Sequence, residues 1–226
     1  MISRLSTLFV RAKDVLQREG LEALLRRTLY FLLDPVFQYR TYYFYEYTLR
    51  DQNEADFIPR LNNLTYRIIT TSREAGELAD NESQFSPYVK RFKERLDKGA
   101  IAFYFFVDRE LAHWGWVAMN QEAQDSLGGI PIKVDFTKQE AYTGASFTLP
   151  KYRGKSLMKY SYFKRLQFLK ESGMVISRNA VAKDNVASHH ALAKLSPRIY
   201  AKAQYLKLGR WQVWRESPFS QASQPD

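Results

Sequence analysis

Residues 149–159 read LPKYRGKSLMK, with Gly-Lys-Ser placed directly after an apolar run and directly before a helical pattern. Three readings compete: a nucleoside triphosphate loop, another phosphate cradle, or a solvated basic turn. The first requires Gly-x-x-x-x-Gly-Lys-Ser/Thr, because the leading glycine lets the backbone wrap the phosphates. That place is held by Leu149. Between Lys151 and Arg215 the only acids are Glu171 and Asp184, neither ending an apolar strand where a metal-binding carboxylate belongs. The second reading fits the residues. A strand ends at Pro150, a loop rich in N–H groups follows, and a helix begins whose positive N-terminus faces an anion. Arg153 and Lys155 add charge, Gly154 permits the turn, and the Ser156 hydroxyl can donate.

On both sides of this loop the hydrophobic spacing predicts alternating elements. AYTGASFTL (141–149) reads as a strand, and LMKYSYFKRLQFLKES (157–172) as a helix closed by Gly173. MVISRNAVA (174–182) reads as a strand and VASHHALAKL (186–195) as a short helix. Upstream, LTYRIIT (64–70) is a strand and 72–98 is mostly helical. Residues 101–119 form a hairpin around Asp108-Arg109-Glu110, and 120–138, with Gly128-Gly129 and Pro131, a loop. Downstream, RIYAKAQYLKL and RWQVWRE supply the final strands.

PKYRGKSLMKY, followed by about four helical turns, Gly173, a strand and Asn185-x-x-Ser188, resembles the coenzyme A loop and following elements of the GNAT acyltransferase superfamily. The family pattern is Gln or Arg, two residues, Gly, one residue, then Gly or Ala, often after Pro-x-Tyr. Pro150, Tyr152 and Arg153 match it, Ser156 stands at the first glycine and Met158 at the Gly or Ala. In element order the likeness covers residues 64–215. It implies a mixed α/β (α+β) fold: a central, mostly antiparallel sheet with splayed strands, flanked by helices. It also implies acetyl-CoA or another acyl-CoA as co-substrate, with no metal. Backbone groups near Phe147, Thr148 and Leu149 would pair with the pantetheine arm. Arg153, Gly154, Lys155, Ser156, Leu157 and Met158 would hold the pyrophosphate, and Asn185 would contact the arm. The strands 141–149 and 174–182 would splay to admit the thioester. The activity implied is transfer of an acetyl or other acyl group to an amine or, less often, a hydroxyl.

In that family the proton donor is often a tyrosine seven residues after the asparagine, which falls here on Leu192. His189 and His190 are the substitutes as acid or base, because histidine titrates near neutral pH. Being adjacent on one helix, only one of the two can face a shared site. Glu140 and His113 are further base candidates. Three histidines without metal-ligand spacing, in a chain with no cysteine, offer no metal site.

The charge distribution agrees with an anionic ligand. Residues 151–215 carry 15 Lys or Arg against two acids, whereas 51–150 carry 11 against 15, within a net charge of +10. Nucleic acid would use the same charge through its phosphates and is the least favoured partner. A GNAT-type module that binds coenzyme A or a protein without turnover is the alternative to an enzyme. The chain of 226 residues suits one domain with attachments. No run reaches the ~20 apolar residues of a membrane span, and no signal-peptide pattern opens the sequence. The expected location is cytoplasmic, or peripheral at the inner face of the membrane. Residues 2–33 are amphipathic and helical, stopped by Asp34-Pro35, and residues 1–33 offer membrane-surface contact or pairing into a homodimer. VFQYRTYYFYEYTL (36–49) reads as a strand or extended aromatic arm, and DQNEADFIPRLNN (51–63) as a linker. The expected division is 1–60 attachment, 61–216 acyltransferase-like domain and 217–226 flexible tail, with a small-molecule, glycan or lipid-linked acceptor.

Overall fold

The computed structural model describes residues 20–22, 25, 28, 37–81, 86–128 and 130–219. In chain order the elements are β1 (Phe37–Thr48), β2 (Leu64–Ile69), α1 (Ser72–Asn81), α2 (Ser86–Asp97), β3 (Ile101–Val107) and β4 (Glu110–Ala118). There follow α3 (Gln121–Leu127), β5 (Glu140–Thr148), α4 (Leu157–Glu171), β6 (Ile176–Ala182), α5 (Val186–Ala193), β7 (Arg198–Leu208) and β8 (Trp211–Pro218). Eight strands form one open sheet in the order β2-β3-β4-β5-β6-β1-β7-β8. The β2–β3, β3–β4, β4–β5 and β1–β6 pairs are antiparallel, and β5–β6 is parallel. The fold is therefore mixed α/β with a mostly antiparallel sheet.

The run IAFYFFV makes β3 buried at every position, as expected of a strand covered on both faces. On one face Phe92 of α2 meets Trp116 at 5.3 Å between ring centroids; on the other, Phe168 of α4 meets Phe103 at 5.5 Å. Each such ring stabilises the fold by roughly 1.5–3 kcal/mol through burial.

One expectation changes. Residues 120–138 are not all loop: Asn120 Oδ1 accepts from the Ala123 amide at 2.8 Å and starts α3, whose Ala123 and Leu127 are buried. The compact units are Met1–Thr41 with Ala203–Glu216, and Tyr42–Lys202 with Ser217–Asp226. The first holds the opening residues of β1, the last of β7 and most of β8. The second holds the remaining elements, including the aromatic stretch Tyr42–Thr48, which pairs with β6 from Tyr42↔Ala182 to Thr48↔Ile176. Residues 217 and 218 belong to β8 rather than to a tail. Of the amphipathic stretch 2–33, residues 20–22, 25 and 28 are helical, and the rest lies outside the described residues.

The β4–β5 ladder slips at one place. Trp114 faces Phe147 and Trp116 faces Gly144, so Ala145 and Ser146 share the position opposite Gly115. Ala145 takes the left-handed conformation, φ +47°, that this bulge demands. Beneath it lies the guanidinium of Arg165, and a Cβ at Gly115 would stand 2.5 Å from its Cζ. Gly115→Ala should destabilise the protein by about 1–3 kcal/mol through overpacking, read as a lower denaturation midpoint at unchanged slope.

Candidate functional site

β5 and β6 pair only from Glu140↔Ile176 to Tyr142↔Arg178, where the side chains of Thr143 and Ser177 share a hydrogen bond of 2.7 Å. Beyond that point each strand keeps its other neighbour, β4 or β1, and the two part. A cleft of about 650 Å³ lies against the far end of β5, the loop 152–156, the first turn of α4 and one side of α5.

The loop is held from below. Tyr152 is buried, and its hydroxyl donates to Glu110 Oε2 at 2.8 Å, beside Lys151 Nζ at 2.5 Å. Lys151 first and Tyr152 second hold the Glu110 carboxyl below its usual range. Arg153 is tied to the end of β5, its Nε donating to the Thr148 carbonyl at 3.3 Å. Gly154 has φ +76° and Ser156, at the helix N-cap, φ +59°, so Ser156 occupies a left-handed position that suits glycine better. Its side chain caps nothing. Among the described residues, no backbone acceptor faces the amides of residues 154 and 156–159, while that of Lys155 lies at the close of the 153–154 turn. Five unpaired N–H groups at the positive end of a 15-residue helix, with Arg153 and Lys155 alongside, form an anion cradle.

Phe147, Thr148, Arg153, Gly154, Lys155, Ser156, Leu157, Met158 and Asn185 all line the cleft. Leu149 does not: its amide donates to the Ala112 carbonyl at 3.0 Å and its side chain packs beside Val107 and Leu157. The bulk of Met158 is turned partly into the core, with the Ser188 hydroxyl 3.8 Å from its sulfur. Asn185 caps α5, its Oδ1 accepting from the Ser188 amide at 3.2 Å. Leu192 is fully buried in the main core.

The acid and base candidates separate. His190 is exposed and lines the cleft. His189 points away: its Nε2–H donates to the Ala182 carbonyl at 3.0 Å, which leaves Nδ1 to accept from the Tyr45 hydroxyl at 2.6 Å. Burial, then Tyr43, pushes that hydroxyl up to about 12. Glu140 lies at the opposite end of β5, where Arg178 Nη2 reaches it at 2.7 Å and the Asp135 amide at 2.8 Å. His189 and Glu140 are thus structural ties outside the cleft. His113 lines the cleft but is fully buried. Its Nδ1 is 2.7 Å from Thr148 Oγ1, and burial, then Arg165, holds it well below the ordinary histidine range.

Two features were missed from sequence. Ser146, on the bulge, lines the cleft with its buried hydroxyl unpaired. Arg165 is fully buried, donating to the carbonyls of Ser161 (3.1 Å), Gly144 (3.3 Å) and Trp116 (3.4 Å), its Cζ 4.0 Å from the centre of the Tyr162 ring. Burial, opposed by Tyr162, Tyr47 and Tyr142, lowers it to about 10. Among the described residues no group of three or more His, Asp or Glu side chains is placed to hold a metal ion, and no helix is long and apolar enough to cross a membrane.

No family model and no curated protein matches the sequence. Solved structures do match in shape. The GCN5-related glucosamine N-acetyltransferase region of a fungal multi-domain β-N-acetylglucosaminidase superposes with TM-score 0.51 at 9% identity, over 83% of this chain and 23% of that one. The chain has the GNAT fold. Other GNAT structures are similar at TM-scores below 0.5: a GCN5-related N-acetyltransferase from Kribbella flavida (0.48, 10% identity, 80% of this chain and 63% of that) and a GNAT-family acetyltransferase from Colwellia psychrerythraea (0.45, 13%, 84% and 61%). This GNAT-fold chain spans less than two thirds of each of these three.

His189→Ala should cost about 1–3 kcal/mol, since it strands the Ala182 carbonyl and the Tyr45 hydroxyl. His190→Ala should change stability by less than ~0.5 kcal/mol, and denaturant titration of both variants separates the roles. His113 also predicts a pH slope. Below the ordinary histidine value of 6.5 the unfolded chain binds a proton that the folded chain refuses. Stability should therefore fall as pH drops below that value, by up to ~1.4 kcal/mol per unit, and be level above it. His113→Gln should remove this slope between pH ~6.5 and ~5.5.

Proposed function

We propose that this chain is an acyl-CoA-dependent acyltransferase acting on an amine. The observation that carries the reading is the junction of two features: strands that part after three residue pairs, and a cradle of five unpaired amides with two cations at the mouth of the parting. The residues present fit acyl-coenzyme A. Residues 153–159 would hold its pyrophosphate, and the edge of β5 left bare beyond Tyr142 would pair with its extended arm. A thioester supplies the activated acyl group.

The chain's own part is binding, orientation and proton handling. Ser146 and Thr148 line the cleft, the Thr148 hydroxyl fixed by His113. His113 is too weak a base to take a proton near neutrality, so it positions Thr148. His190, exposed on the cleft, is the side chain assigned to hold the proton that a protonated amine must lose before it can attack. An amine on a sugar or lipid-linked molecule is the acceptor class proposed, supported by the amphipathic pattern of residues 2–33.

Calorimetric titration with acetyl-CoA tests the cradle, and thiol release against a panel of amines tests turnover. Arg153→Ala should weaken binding about tenfold, the worth of one or two charge-assisted hydrogen bonds. His190→Gln should leave that affinity unchanged and lower the turnover rate by about 10²-fold or more. Absence of binding at millimolar acetyl-CoA would overturn the proposal; binding without thiol release would leave a coenzyme A-binding module.

A further inference from the structure

The β7–β8 hairpin has an apolar tip. Its turn is Gly209-Arg210, the Tyr205 and Trp214 rings lie 6.1 Å apart across it, and further down the Phe219 amide donates to the Tyr200 carbonyl at 3.0 Å. This register sets Leu208 opposite Trp211 and Leu206 opposite Val213, all four on one face. They are 59%, 79%, 38% and 40% exposed. The next pair on that face is Gln204 with Arg215, and Gln204 Nε2 donates to the Tyr39 hydroxyl at 3.1 Å. On this face the pairs thus change from polar at the base of the hairpin to apolar beside the turn.

Charge near the turn is basic, although Arg198 at the base is paired with Glu46 and Glu216 directly follows Arg215. From Arg198 to Arg215 there are five Lys or Arg and no acid, and Arg210 sits in the turn itself. We infer that the β7–β8 hairpin docks on an anionic lipid bilayer, Leu208 and Trp211 entering the interface while Arg210, Lys207 and Arg215 meet the headgroups. Tryptophan and tyrosine favour that depth, and basic side chains add attraction to anionic lipid. A second copy of the chain fits less well. Four side chains fall far short of the ~800 Å² per partner that a stable interface buries, and a symmetric contact would bring two patches of the same positive sign together. The inference is independent of acyl transfer.

The test is co-sedimentation of the full chain with vesicles of phosphatidylcholine plus phosphatidylglycerol, and with phosphatidylcholine alone. The wild type should bind the anionic vesicles, less so at high salt, with a blue shift in tryptophan emission. Leu208→Ser with Trp211→Ser should weaken that binding at least about tenfold while unfolding at the same denaturant midpoint. Three results would each overturn the inference: no sedimentation of the wild type, equal sedimentation of the double variant, or a dimer in light scattering that the double variant dissociates.

Discussion

A buried guanidinium without a carboxylate governs the geometry of this domain. Arg165 projects from the middle of α4 to the point where β4 and β5 change register and there ties the carbonyls of Trp116 and Gly144. Removing such a charge from water costs several kcal/mol, and backbone dipoles and the Tyr162 ring offset that cost. A leucine at 165 would fill space with no such demand. The cation makes sense as a clamp: it holds the bulge at Ala145 and Ser146 open, and with it the divergence of β5 from β6. Gly115, whose missing side chain leaves room for the guanidinium, is the other half of the device.

What the loop could reveal in sequence was local. Pro150, Tyr152, Arg153 and Gly154 stand within five residues, and the conformation they need is written in their own chemistry. The helix after them and the strands around them follow from spacing, and the cleft brought together nine of the ten residues expected to hold a cofactor. Leu149 is the tenth, withdrawn because its amide completes the ladder to Ala112.

What the spacing does not show shares a cause: each such residue has a partner distant in the chain. Glu140 reads as a free carboxylate until Arg178 is placed beside it, and His189 as a reactive imidazole until Tyr45 arrives from β1. Arg165 looks like one more surface cation in a basic helix, because nothing near it in sequence announces burial. Helix α3 is the exception. Asn120 as cap, with Ala123 and Leu127 four residues apart, was a readable start signal, hidden by the Gly-Gly and Pro that follow.

The placement of β1 bears on how the molecule is made. An aromatic strand near the start of the chain lies between β6 and β7, with Tyr42 opposite Ala182. During synthesis both edges of that strand emerge long before either neighbour exists, and contacts so far apart in sequence form slowly. Until β6 is released, Tyr43, Phe44, Tyr45 and Tyr47 lack the strand that shelters them, and bare edges of this kind invite pairing with other chains. The β6–β1 part of the sheet is therefore completed late in folding, because pairings such as Tyr42 with Ala182 join segments far apart in sequence.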